Sequence, residues 1–416
     1  MPRVLFLCFI VAITILVIVQ GQTYGPTGEY NDSLSLTEIN ATNTTGTRAV
    51  STLQFVILVA RHGSRGSVFS FPSSRYQSND RSVWPHGFGE LTQRGRIQMY
   101  KLGENVRSMY NGFLDSTYRS VDFKALSSPS GRTIQSAELF LAGLFPPHGF
   151  QVWNQDLLWQ PIPVFPSFLD HYKMVFIKGH SKCPRFTEAQ TNSLLQFDKL
   201  YDASLTSFLE YVLPHSGIDE ETVRKSYDNL YRLQIVILLW ESLNNEAENG
   251  LPLPDWASEI YPEPLTSLYV ALQRVIIAGS ADQIKYLQGE LFQELVGLMQ
   301  SKANNTLSPN RRMYYYSAHD YTLLALLAML GQQAVDEVKY VNTGSALIYE
   351  LHRHASTGRF YIQVLYIDGH GDLVPIEINI SECESPCDFE QFLKTTEQYS
   401  NITNWLEECH LGPATT

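Results

Sequence analysis

Three short blocks of this chain place groups able to do chemistry at comparable positions: Arg61, His62 and Arg65 in RHGSRGS, Arg132 in SSPSGRT, and His319 and Asp320 in SAHDYT. Three guanidinium groups exceed what one carboxylate needs but suit a phosphate, whose several oxygens can each take a bidentate contact. A neutral imidazole inside such a cage can attack phosphorus and form a covalent intermediate that water later resolves. Neighbouring cations keep that imidazole neutral in mild acid, because they disfavour its charged form. Asp320 is the carboxylate best placed to protonate a leaving alcohol, and an ordinary aspartic acid donates well only at acid pH. An acid optimum is therefore expected. His319 reads as a phosphate-binding partner, although spacing alone does not separate its role from that of His62. The chemistry needs no metal and no cofactor, and the chain has no HExxH, no acidic metal-binding run and no GxxxxGK[ST] loop.

Each block follows an apolar run short enough for a strand: 55–60, 123–127 and 313–317. In open α/β sheets ligands gather at the carboxyl ends of strands, so three such ends can assemble one anion site. Helical patterns follow each block. Thr92 caps one in which Met99, Leu102, Val106 and Met109 form the buried stripe; Ile134, Ala137, Leu141 and Leu144 mark a second; TLLALLAML begins a third. Arg132 thus stands at a strand-to-helix turn, where unpaired N–H groups favour anions. Residues 346–351 and 360–367 read as later strands joined by a hairpin-like turn. His352 and His354 share one face of a strand and read as exposed polar residues, and His86 as a surface histidine.

The expected fold class is α/β, a mixed open sheet flanked by helices with a mainly helical inserted domain. Residues 52–150 and 296–410 form the discontinuous α/β domain and 151–295 the insertion. In the insertion, Leu194, Phe197, Leu200, Phe208 and Val212 are read as one helix, and Val223, Tyr227, Leu230, Gln234, Ile235 and Leu238 as another.

Met1-Pro2-Arg3 followed by an apolar run to Val19 reads as a signal peptide, 1–21. Residues 22–51, rich in Thr, Asn, Gly and Ser, read as a disordered glycosylated tail. Asn31, Asn40, Asn43, Asn304, Asn379 and Asn401 begin N-x-S/T sequons, which fit a secretory route. Removing the signal leaves Cys183, Cys383, Cys387 and Cys409, an even number suited to an oxidising compartment. Three pairings are open; the short 383–387 loop would leave Cys183 to tie the middle of the chain to Cys409. No histidine lies at zinc-ligand spacing beside them. A net charge of −12 makes nucleic acid and anionic membranes poor partners, and no later run is long enough for a stable membrane anchor. A secreted or lysosomal-lumen location is expected.

RHGSRGS, WPHGFGELTQRG, GRTIQSAELFLAGLFPP, WQPIPV, CPR and YYYSAHDYTLLALL together resemble the secreted and lysosomal histidine acid phosphatases, in the family's order and from about residue 52 to 410. The resemblance implies acid phosphatase activity on small phosphate monoesters. His62 would be the nucleophile, Asp320 the proton donor, and Arg61, Arg65, Arg132 and His319 the phosphate holders. It also implies the Cys183–Cys409 and Cys383–Cys387 disulfides and, in many members, a homodimer. The family's alternative activities include phytase-like or other specialised phosphatases; a different class would be a non-catalytic secreted anion-binding glycoprotein, against which intact His62 and Asp320 argue. Lys and Arg are sparse from 75 to 92, which disfavours a highly charged substrate. Ser67 stands where the family motif closes with proline, a change expected to loosen the loop and the placement of Arg65. Phe165 stands where relatives often carry histidine.

Overall fold

A computed structural model describes residues 47–166, 171–177 and 182–410. The expected signal peptide and Asn31, Asn40 and Asn43 lie outside them. The first strand, β1 (Leu53–Arg61), carries a run that is buried almost without interruption. Its alternate residues serve two cores. Phe55, Ile57 and Val59 face one and Val56, Leu58 and Ala60 the other. A strand covered on both faces must be apolar throughout, which is why it reads as a continuous run.

The next elements are α1 (Gln93–Met109), β2 (Phe123–Ser127), α2 (Gly131–Leu144) and β3 (Val164–Pro166). The helices α3 (Pro184–Leu200), α4 (Asp202–Ser216), α5 (Glu220–Tyr227), α6 (Tyr231–Glu248), α7 (Leu265–Ala278) and α8 (Ala281–Ala303) follow. Then come β4 (Met313–Ala318), α9 (Asp320–Leu330), α10 (Gln332–Val338), β5 (Ala346–Arg353), β6 (Phe360–Ile367), β7 (Ile376–Glu377), β8 (Cys387–Asp388), α11 (Phe389–Ser400) and α12 (Trp405–Cys409). The sheet order is β3-β2-β4-β1-β5-β6-β7, with β8 on β6. The β3, β2, β4 and β1 side is parallel, while β5, β6 and β7 add antiparallel neighbours. The sheet is mixed and flanked by helices, as expected.

Several elements differ from the sequence reading. A short strand, β3, falls within the mainly helical 151–295. The stripe Leu194 to Val212 belongs to two helices that break at Tyr201, and Leu200 at that break is 79% exposed. The stripe Val223 to Leu238 is likewise broken by a single-turn helix at 228–230, where Asp228 has a positive φ. Periodicity survives such breaks, since each helix restarts with its apolar face towards the same core. His352, expected to be exposed, is buried: its Nε2 lies 3.1 Å from Glu350 and its Nδ1 3.1 Å from Thr52 Oγ1. Its alternation partner His354 is exposed. Order also begins earlier than the composition of 22–51 indicates, because Arg48 pairs with the same Glu350.

Both expected disulfides are present, Cys183–Cys409 and Cys383–Cys387. Among the described residues no helix is long and apolar enough to cross a membrane.

Candidate active site

Parallel register brings the three blocks level. Arg61 at the end of β1 pairs with Ala318 at the end of β4, and Ser127 at the end of β2 pairs with Ser317. The chain then turns into α2 two residues after Pro129 and into α9 one residue after His319. Convergence of Arg61, His62, Arg132, His319 and Asp320 is thus a consequence of strand register. Arg65 arrives on the loop after β1. That loop lies directly on the first turn of α1: a Cβ on Gly63 would be 2.3 Å from the Gly95 carbonyl oxygen, and one on Gly95 2.0 Å from that of Ser64. Only glycine at both positions allows the approach.

His62 is buried, and its Nδ1 is 2.8 Å from the Gly63 carbonyl oxygen. A carbonyl can only accept, so Nδ1 carries the proton and Nε2 the lone pair. Burial, then Arg132, His319, Arg61 and Arg65, hold this imidazole well below the usual histidine range. It is therefore neutral in mild acid. The His319 ring stands edge-on to it, centroids 5.4 Å apart, and its Nε2 is 2.8 Å from Ser128 Oγ. Burial and Arg132 push His319 down to about 3.

The arginines are held by their edges. Arg61 Nη1 donates to Tyr340 Oη at 3.0 Å and to the Val341 carbonyl at 2.6 Å, and its Nη2 is 3.0 Å from Asp320 Oδ2. Arg65 Nη1 and Nη2 donate to the two oxygens of Glu241 at 2.7 and 3.0 Å, and Nη1 also donates to the Gly66 carbonyl. Arg132 makes no ion pair among the described residues. The Nε–H groups of Arg61 and Arg132 are buried with no hydrogen-bond partner. Burying a charged donor unmet is costly; Arg96, Arg107 and Arg274 bury such an Nε–H as well, but here two of them stand around one neutral imidazole, an arrangement that suits an anion.

Asp320 accepts from the Tyr321 backbone N–H at 2.8 Å and from Gln273 Nε2 at 3.3 Å. Burial raises its proton affinity, but Arg61, His319, the Tyr321 N–H and Arg65 outweigh that and hold the carboxyl below its ordinary value. Ser67 does not leave the loop slack. It is buried, its Oγ donates to the Phe69 carbonyl and accepts from the Phe69 N–H, and Glu241 fixes Arg65 besides. Glu241 and Gln273, from α6 and α7, and Tyr340 were not legible as site residues. Glu241 is an acidic residue in an apolar helical stretch, LLWES, which is the one signal that marks it; nothing local names its partner 176 residues away. Among the described residues no group of three or more His, Cys, Asp or Glu side chains is arranged to hold a metal ion.

A cage of under-neutralised guanidinium groups around a neutral imidazole, at level strand ends of a mixed sheet, is built for a phosphoryl group. The chain belongs to the histidine phosphatase superfamily (branch 2), whose family model matches residues 52–367. It is 33% identical to lysosomal acid phosphatase of Bos taurus over 375 residues, 88% of this chain and 82% of that protein. It is also 33% identical to lysosomal acid phosphatase of Homo sapiens, over 89% and 83% of the two chains. The fold is shared with the phytase from Citrobacter braakii at a TM-score of 0.61 and 18% identity, covering 84% of this chain and 98% of that one.

Proposed function

We propose that this chain is an acid phosphatase that hydrolyses phosphate monoesters through a phosphohistidine. His62 Nε2 attacks phosphorus, the P–N bond forms, and the P–O bond to the alcohol breaks as Asp320 gives that oxygen its proton. Asp320 then takes a proton from water, whose oxygen attacks phosphorus and releases His62 and inorganic phosphate. Arg61, Arg65, Arg132 and His319 hold the phosphoryl oxygens throughout. The observation that carries this reading is His62 Nδ1 tied to the Gly63 carbonyl, so that the lone pair on Nε2 belongs to a cage with buried, unmet donors.

Burial raises the proton affinity of Asp320, but Arg61 above all holds the carboxyl below its ordinary value. An incoming phosphate adds negative charge and draws on Arg61, which raises the proton affinity of Asp320 when a donor is required. The substrate's own charge arms the acid.

The test is hydrolysis of p-nitrophenyl phosphate from pH 3 to 8 with EDTA present. Wild type should act in acid, and His62→Ala should lose about 10⁴-fold or more in kcat, as removal of a nucleophile does. An acid-labile, alkali-stable phosphoenzyme should be trapped in wild type and absent in the variant. Full activity of His62→Ala would overturn the reading.

The same reading includes a cleaved signal peptide, passage to the lysosome or the exterior, and sugars on exposed Asn304, Asn379 and Asn401, with the lysosomal acid phosphatase relatives as support. The helical segment 151–295 is read as an insertion that serves the site, since α6 and α7 bring Glu241 and Gln273 to it. A homodimer is supported by edge strand β3, whose Phe165 is 49% exposed, and by exposed Trp153 and Leu158 in the segment that leads into it.

A further inference from the structure

Beside the phosphate cage lies an open cavity of about 520 Å³ lined by Arg81, His86, Phe88, Glu90, Arg96 and Gln135, with Gly87 in its wall. It shares walls with the cage on two sides. A Cβ on Gly66, the residue after Arg65, would meet the Gly87 carbonyl oxygen at 3.2 Å; one on Gly131, the residue before Arg132, would meet Glu90 Oε1 at 3.4 Å. The cavity and the cage are thus neighbours across the backbone beside Arg65 and Arg132.

Its charge is unbalanced in the direction an anion requires. Two cations, Arg81 and Arg96, line it against one carboxylate, and neither makes an ion pair among the described residues. Arg96 Nη2 lies 3.3 Å from His86 Nδ1, and since a guanidinium can only donate, the neutral ring carries its own proton on Nε2. Arg96 Nε is buried with no hydrogen-bond partner. The cavity's one carboxylate, Glu90, already accepts from Gln135 at 2.9 Å. Phe88, 59% exposed, adds an apolar face to the same lining.

We propose that Arg81, Arg96 and His86 form a second anion subsite, which selects phosphate monoesters whose alcohol part carries another anionic group such as a second phosphate. Sequence reading missed it because Arg96 comes from α1, outside the arginine-poor stretch 75–92, and joins Arg81 only in the fold. The subsite rests on the phosphatase reading above, and the closing experiment separates the two. The substrates are fructose 1,6-bisphosphate and fructose 6-phosphate, with p-nitrophenyl phosphate as the single-anion control.

In Arg81→Gln/Arg96→Gln, kcat/KM for the bisphosphate relative to the monophosphate should fall about fivefold to tenfold, through KM, as loss of two partly exposed charge contacts implies. Turnover of p-nitrophenyl phosphate should stay within about twofold, because neither arginine touches the cage. Glu90→Gln should shift the ratio the other way, which guards against misreading a folding defect as loss of the subsite. An unchanged ratio in both variants, or equal loss on all three substrates, overturns the subsite while leaving the phosphatase standing. A wild type unable to hydrolyse p-nitrophenyl phosphate overturns both.

Discussion

Glu350 and the phosphate cage are two clusters of buried ionisable groups on the same pair of strands. Glu350 faces Val56 across the β1–β5 ladder, while the cage begins where Ala60 faces Ala346, four residues further on and so about 13 Å away. Glu350 is fully served: Arg48 bonds to both oxygens, Tyr110 Oη donates at 2.6 Å and His352 Nε2 lies at 3.1 Å. The remaining donors there find Thr52 and Gln363. In the cage, three arginines and two histidines share Asp320 and Glu241, and the Arg61 and Arg132 Nε–H groups stay unmet. Both clusters are buried and charged, so burial of charge does not identify a site. What separates them is that the cage holds two unmet guanidinium Nε–H groups around one neutral imidazole, whereas none of Arg48, Tyr110, Glu350 or His352 buries an unmet polar atom.

Among the changes that set the two clusters against each other, the largest should come from Asp320→Asn. For an alkyl ester such as glycerol 2-phosphate, kcat should fall about 10²–10⁴-fold, the range general acid catalysis supplies. For p-nitrophenyl phosphate, whose leaving group needs little protonation, the loss should be much smaller. Equal losses on the two substrates would remove Asp320 as the donor. The balanced cluster should respond in stability instead. Glu350→Ala strands Arg48, Tyr110 and His352, and should cost about 3–5 kcal/mol in urea unfolding, as breaking a buried pair from one side does. Per folded molecule, kcat should stay within about twofold. A variant of normal stability and low kcat would erase the distinction between the clusters.

Glu241→Gln makes the cage more positive while keeping an oxygen for Arg65 to bond. Inorganic phosphate should then inhibit about threefold to tenfold more tightly, since a nearby negative charge has gone. Weaker inhibition would mean that the charge of Glu241 serves mainly to aim Arg65.

The smallest effect separates the clusters by pH. His62 and His319 are held below the ordinary histidine value of 6.5, His319 to about 3, so the unfolded chain binds more protons than the folded one between those limits. Their contribution to stability is present above 6.5 and lost as pH falls towards 3. Glu350, desolvated but held below its ordinary 4.5 by His352, Arg48 and Tyr110, contributes above 4.5 and loses its share only below it. In phosphate-free buffer the Tm should therefore decline from pH 6.5 to 4.5 in wild type, and His319→Asn should flatten that decline. An unaltered slope in the variant would place the effect elsewhere.

The catalytic candidates were legible because each sits at the end of a strand that announces itself by its apolar run, and parallel register then levels the ends. Their partners were not. Glu241, Gln273 and Tyr340 lie on α6, α7 and the segment after α10, and which helix face meets which strand end is decided by tertiary packing. His352 failed for a related reason: its carboxylate partner is two residues away on the same strand, and a polar residue with such a partner can stay inside. The breaks at Tyr201 and at 228–230 escaped notice because apolar spacing resumes on the far side of each.

The Cys183–Cys409 disulfide closes a ring with a sequence separation of 226 residues. His319 and Asp320 lie inside the ring, while Arg61, His62, Arg65 and Arg132 lie on the strand of chain that precedes it. A protease that cuts once anywhere between the two cysteines opens the ring without releasing a fragment, so Asp320 and His62 remain on one covalent molecule. Cuts before Cys183 have no such protection. Single nicks in 184–408 should leave an active, two-piece enzyme until a reductant is added, whereas a cut in a described loop before Cys183 separates the chain into unlinked pieces.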